Sequence, residues 1–175
     1  MAEAVFTVGH STRPIDEFIA LLKAHGVGRV VDVRTVPRSR HNPQFGQDAL
    51  SKTLADHGIA YTHVPDLGGL RRARPDSPNM GWRNASFRGY ADHMQTAAFA
   101  DALDELIGLA RRSQVAVMCA EAVPWRCHRS LIADALIARG IPTEELSSAT
   151  RRAPHRLTPF ARVEGSRVTY PGVGV

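Results

Sequence analysis

A chain of 175 residues with 43% hydrophobic residues is long enough to bury a full core and is read as one domain. It has no run of about 18 apolar residues, which excludes a membrane-spanning helix, and its 2 cysteines exclude a disulfide-dense scaffold. The net charge of +5 and the pI of 9.9 disfavour a basic partner and suit an acidic one.

The basic residues are almost all arginine, with Lys23 and Lys52 the only lysines. Arginine binds carboxylate and phosphate as a planar fork. A base-composition bias gives the same excess, so both explanations stand. The opening M-A-E-A-V-F-T-V-G-H runs straight into a strand pattern, without the basic flank and apolar core of a signal peptide. A cytoplasmic location is expected, and with it reduced cysteines.

In chain order, Val5 to Val8 reads as a short apolar strand, followed by Gly9, His10, Ser11 and Thr12. Pro14, Ile15, Phe18, Ile19, Leu21 and Leu22 carry a helical period, with Ser11 or Thr12 as its cap and Gly26 as its stop. Val30 to Val33 is a second apolar strand that runs into Arg34. Strand, helix and strand make a βαβ unit with a parallel pair. The loop T-V-P-R-S-R-H-N-P-Q-F-G follows, then a helix over 47–57 and a third strand from Ile59 to Val64.

Residues 65–90 are rich in glycine, proline and arginine. A loop this long is uncommon in a compact domain and is often a lid. Trp82, Phe87 and Tyr90 interleave with Arg71, Arg72, Arg74, Arg83 and Arg88. Either this segment stacks on bases and contacts phosphates, or its aromatics pin it to the domain. A helix is expected over 91–112, a strand over Val115–Ala120, and a helix from about Trp125 to Arg139 ended by Gly140. Ile141 to Leu146 supplies a last short strand. The tail opens on Arg151 and Arg152 and can form a hairpin around Glu164-Gly165.

In a parallel sheet every strand ends on one edge, and in open α/β sheets ligands bind there. That edge gathers His10 and Ser11, Asp32 and Arg34 with its loop, the Asp66–Leu70 turn, and V-A-V-M-C-A-E-A-V-P-W-R-C-H-R over 115–129. Cys119 reads as the last buried residue of its strand, and buried cysteine is usually inert. Cys127, flanked by Arg126, His128 and Arg129 at a helix start, suits a reactive thiolate. It equally begins the packed stripe 127, 131, 135. Glu121 suits a general base or an arginine partner, or is simply solvated.

Four chemistries compete for this segment. One is thiolate catalysis at Cys127 with His128 or His10 as proton shuttle. A metal site is disfavoured by the cysteine spacing. A redox pair requires Cα atoms within about 7 Å. A cysteine phosphatase loop requires arginine where Trp125 stands, with Arg126 one residue late, so that assignment is rejected. An anion held between Arg129 and the helix N-terminus survives as the weaker form.

The motifs G-H-S at 9–11, D-V-R-T-V-P-R-S at 32–39, L-G-G at 67–69, C-A-E-A-V-P-W-R-C-H-R at 119–129 and the tail H-R-L-T with a following Y-P stand in this order. Together they resemble the "domain of unknown function 488" family over about residues 5 to 170. The resemblance implies a small bacterial or archaeal α/β protein and brings no activity. It carries over as site positions His10, Ser11, Asp32, Arg34, Pro37, Ser39, Glu121, Cys127, His128 and Arg129.

The expected architecture is one α/β domain over 1–150, with a mainly parallel sheet of about four or five strands and helices on both faces. This is a Rossmann- or flavodoxin-like layering, with a basic tail over 151–175 packed on it. The expected catalytic residues are His10, Glu121, Cys127 and His128. Ser11, Asp32, Arg34, Ser39, Arg126 and Arg129 are expected to bind the anion. No metal set is assigned, and the cofactor is left open. The expected function is an enzyme acting on an anionic, phosphate-bearing substrate, a nucleotide or nucleic acid. The alternatives are a nucleic-acid-binding module without catalysis and a thiol or metal redox sensor.

Overall fold

Runs such as V-V-D and V-A-V-M-C have no polar alternation, the pattern of strands covered on both faces. The computed structural model describes residues 4–172. In chain order it contains β1 (Val5–Gly9), α1 (Ile15–Ala24), β2 (Arg29–Asp32), α2 (Gln47–Asp56), β3 (Ala60–His63), α3 (Ala85–His93), α4 (Ala97–Ala110) and β4 (Val115–Cys119). These are followed by α5 (Arg129–Ala138), β5 (Thr143–Ser148), β6 (Arg151–Pro154), β7 (Arg162–Glu164) and β8 (Arg167–Thr169).

The main sheet has the order β3-β2-β4-β1-β5-β6. Its first five strands are parallel, and β6 returns antiparallel on β5. β7 and β8 form a separate hairpin that turns at Gly165, with a φ of 63°. The protein is a single α/β domain with helices on both faces. Phe18, Leu22, Leu50 and Leu54 of α1 and α2 pack with Phe6, Val8, Val30 and Met118 on one face. Leu103, Leu106, Leu131 and Ile132 of α4 and α5 pack with Val5, Val31, Val115 and Val117 on the other. Alternate residues of each strand therefore feed two cores.

Three local expectations are corrected. The helix expected over 91–112 is two helices, α3 and α4, because Thr96 caps the second by accepting from Phe99 N–H at 3.2 Å. α1 is capped by neither Ser11 nor Thr12; its cap position is Pro14, without a side-chain bond. The helix expected from Trp125 begins only at Arg129. A single 3-10 turn spans Pro124–Arg126, and Cys127 is extended at φ −127° and ψ 144°.

The 65–84 excursion is fastened from α3. Asp92 accepts from Arg74 N–H at 2.7 Å, Ser77 Oγ at 2.5 Å and Asn79 Nδ2 at 2.7 Å. Trp82 packs edge-on against Phe87 and Phe160 and tilts onto Tyr170, so it is spent on packing. Arg71 and Arg88 bond the backbone carbonyls of Gly68, Pro65 and Trp82. The tail is fastened likewise from α5: Asp134 accepts from His155, Thr158 and Tyr170.

Candidate active site

Strand directions decide where a crevice can open. From β2 the chain leaves through α2 towards β3; from β4 it leaves through α5 in the opposite direction, towards β5. The loops diverge between neighbouring strands, which is the switch point where α/β sheets hold ligands. A pocket of about 350 Å³ lies there. Arg34, Val36 and Arg38 line it from the β2 side, Cys119 and Glu121 from the β4 side, and Leu70 and Phe87 from the 65–90 segment. A larger cleft of about 910 Å³ lies at the opposite end of the sheet, around Arg111, Gln114 and Gly140, away from the strand C-termini.

Close backbone approaches build the pocket walls. A Cβ on Gly9 would collide with the carbonyl of Glu121, so only glycine lets the β4 loop cross the end of β1. Gly68 similarly abuts Thr35, whose hydroxyl donates to Gly69 O at 2.6 Å. A Cβ on Gly69 would sit 3.1 Å from His128 Nδ1. The glycines of G-H-S and L-G-G are thus packing requirements of one site.

Arg34 and Asp32 are both buried and form a two-point pair, Nε to Oδ1 at 2.9 Å and Nη2 to Oδ2 at 2.7 Å. Tyr61 donates its hydroxyl to the same carboxylate at 2.5 Å, and burial and the anion push its pKa up. Arg34 Nη1 is left directed at His10 Nε2, 3.5 Å away. His10 donates through Nδ1 to Ser11 O at 2.8 Å and stacks on Phe45. Burial lowers its pKa, so it stays neutral. His10 does not line the pocket and meets it only through Arg34.

Arg129 is the main correction. It is 0% exposed. Its guanidinium bonds Glu145 at 3.1 and 2.8 Å, Cys119 Sγ at 2.8 Å, Ala122 O at 2.9 Å and Glu121 O. No N–H of the fork is left for a ligand. The start of α5 is equally occupied: Arg129 N–H points at Cys127 Sγ, Ser130 N–H at Cys127 O and Leu131 N–H at His128 O. The expected anion site between Arg129 and the helix N-terminus is therefore absent among the described residues. Arg129 instead braces the 119–129 loop against β5.

Ser11 and Ser39 also lie outside the pocket lining. Ser11 turns the chain at a φ of 51°, and Ser39 Oγ accepts from Asn42 N–H at 3.1 Å. Asp32 is spent on Arg34 and Tyr61. Glu121 is exposed at the rim and accepts from Val123 N–H at 3.1 Å. Arg126 is exposed at the rim, and so is Arg38, a position not among the expected site residues. Among the described residues neither has a carboxylate within ion-pair distance.

Cys119 and Cys127 both border the pocket and face each other across the loop, with Cα atoms 7.5 Å apart, just beyond the roughly 7 Å that a bridge spans, so closing one requires the loop to shift. His128 donates through Nε2 to Val33 O at 2.8 Å. That fixes Nδ1 as a lone-pair acceptor, 3.5 Å from Cys127 Sγ. Burial lowers the His128 pKa to about 4, so the ring is neutral at pH 7. No cluster of metal-ligating side chains occurs among the described residues.

The model of the family described as Domain of unknown function DUF488 matches residues 14–136. The chain belongs to this family. The matched span includes β2, β4, the 65–90 segment and the 119–129 loop, and so covers the pocket lining of this DUF488 member. No curated protein and no solved structure matches the chain.

Proposed function

We propose that this DUF488 protein is an enzyme acting on an anionic, phosphate-bearing substrate of nucleotide type, held in the crevice between β2 and β4. The supporting observation is the pocket itself. Its volume of about 350 Å³ falls in the range of small-molecule sites. Its walls are mostly apolar, while Arg38 and Arg126 stand at the rim without carboxylate partners among the described residues. An apolar wall suits a base, and two free guanidinium forks suit a phosphate.

The reactive groups at the floor are the cysteine sulfurs and His128 Nδ1. In the reduced protein Cys127 is the nucleophile, with the neutral His128 ring 3.5 Å from its sulfur through Nδ1. Arg34, anchored on Asp32, supports the anion from below.

Calorimetric titration with nucleoside monophosphates, diphosphates and inorganic phosphate tests the binding. Arg38→Ala with Arg126→Ala is expected to weaken it by tenfold or more, roughly the loss of one charge-assisted bond. Absence of any binding, or binding indifferent to both substitutions, rejects the site. Phosphorus NMR of the bound nucleotides tests turnover, and Cys127→Ser is expected to keep binding and lose turnover. A second reading, a thiol redox sensor, is favoured by the Cys119–Cys127 pair alone.

A further inference from the structure

The mouth of the pocket carries apolar surface that a free mononucleotide would leave uncovered. Among the described residues the large hydrophobic side chains most open to solvent are Val36, Leu70, Met80, Trp125 and Val163. Val36 and Leu70 line the pocket, and Trp125 precedes the lining residue Arg126. Trp125 is 72% exposed and Leu70 is 84% exposed. Tryptophan is highly buried in most proteins. Leu70 is also held at a φ of 60°, a left-handed conformation that costs a branched residue free energy.

The charge pattern repeats along the three segments that reach the pocket. Each exposed apolar residue is followed within two positions by an exposed arginine: Val36 by Arg38, Leu70 by Arg72, Trp125 by Arg126. None of the three arginines has a carboxylate partner among the described residues. Alternation of a stacking or apolar surface with a cation matches a strand that alternates base with phosphate. A duplex buries its base faces in the stack and has none to offer Trp125 or the pocket.

We infer that the substrate of this pocket is a nucleotide within single-stranded nucleic acid, with one base in the crevice and a neighbouring base on Trp125. Arg38, Arg72 and Arg126 take the flanking phosphates. The inference rests on the reading of the pocket as a phosphate-ligand site.

The test is fluorescence anisotropy with a labelled oligonucleotide of about 12 nucleotides, within the range of single-strand site sizes. It is run against the same sequence as duplex and against nucleoside monophosphate as competitor. The single strand is expected to bind at least tenfold more tightly than either. Trp125→Ala should lower its affinity about tenfold, the lower part of the range for one stacked base, and Trp125→Phe should restore most of it. Duplex binding as tight as the single strand overturns the inference, as does an unchanged affinity in Trp125→Ala. Mononucleotide binding with no gain from the strand overturns the inference and leaves the proposed function standing. Binding of neither removes both.

Discussion

Arg129 and Glu145 lock the start of α5 to β5 through two hydrogen bonds of 3.1 and 2.8 Å. Thr7 of β1 donates to the same carboxylate at 2.6 Å. The pair therefore ties three elements together, and the buried cation also holds the carbonyls of Glu121 and Ala122. Arg129→Ala would remove the cation that pairs with the largely buried Glu145 carboxylate and leave it Thr7 as a side-chain donor. The expected loss is about 3–5 kcal/mol, or roughly 10 °C in Tm for a domain of this size. Arg129→Lys should rescue little, because one ammonium cannot reproduce the fork. Urea unfolding measures it; a wild-type midpoint for Arg129→Ala would show that the brace carries no stability.

Arg38 and Arg126 predict the opposite phenotype. Both are exposed and make no hydrogen bond through their side chains among the described residues. Replacing each by alanine should move stability by no more than about 0.5 kcal/mol. The double variant should reduce the slope of log affinity against log salt by about 2 for an oligonucleotide ligand. A slope equal to the wild type would place the phosphates elsewhere.

His128 gives a pH dependence with a definite sign. Its folded pKa of about 4 lies below the ordinary histidine value of about 6.5, so the unfolded chain binds the proton more tightly. Stability contributed by the neutral ring is complete above about 6.5 and is lost as pH falls towards 4, by an amount on the order of 3 kcal/mol. His10 and His93 are shifted the same way by burial and add to the loss. His128→Gln keeps a donor for Val33 O without titrating. Its urea midpoint should therefore fall less between pH 7 and pH 4.5 than that of the wild type. Identical falls would mean that the ring is protonated as easily folded as unfolded.

Gly9 and Gly108 separate a packed glycine from a tolerant one. A Cβ at position 9 meets the Glu121 carbonyl, whereas one at position 108, inside α4, has nothing within 4 Å. Gly9→Ala should cost roughly 1–3 kcal/mol or more through overpacking. Gly108→Ala should gain about 0.5–1 kcal/mol from helix propensity. Thermal melts of the two variants should shift in opposite directions; a Gly9→Ala protein as stable as the wild type would mean that the β4 loop has room to move.

The cysteine pair links redox state to the proposed chemistry. Peptide mapping of the oxidised protein should find Cys119 joined to Cys127, with both thiols alkylated only after dithiothreitol. Since Cys127 must be free to act as a nucleophile, turnover should appear on reduction and vanish on re-oxidation. Full turnover by the oxidised protein would remove Cys127 from the reaction.

Much of this molecule is written in local pattern. Strands covered on both faces read as unbroken apolar runs, so V-V-D-V and V-A-V-M-C announce a parallel sheet without coordinates. Parallel strands end on one edge, and the chemistry-bearing residues follow those strands in sequence. That placed the candidate pocket near Arg34 and the 119–129 loop, with His10 behind Arg34. The sequence could not divide Arg126 from Arg129, two arginines three positions apart near one helix start. Their fates depend on Glu145, which β5 delivers beside β1 from the other side of α5, and on the 3-10 turn that points Arg126 outwards. Nor could it tell which aromatics the 65–90 segment would spend on its own packing, since Trp82 meets Phe160 and Tyr170 only when the tail folds back. Local periodicity is a short-range property and determines elements and edges. Whether a charged side chain ends as a brace or as a ligand depends on desolvation and on partners brought from distant positions, and the tertiary structure alone decides it.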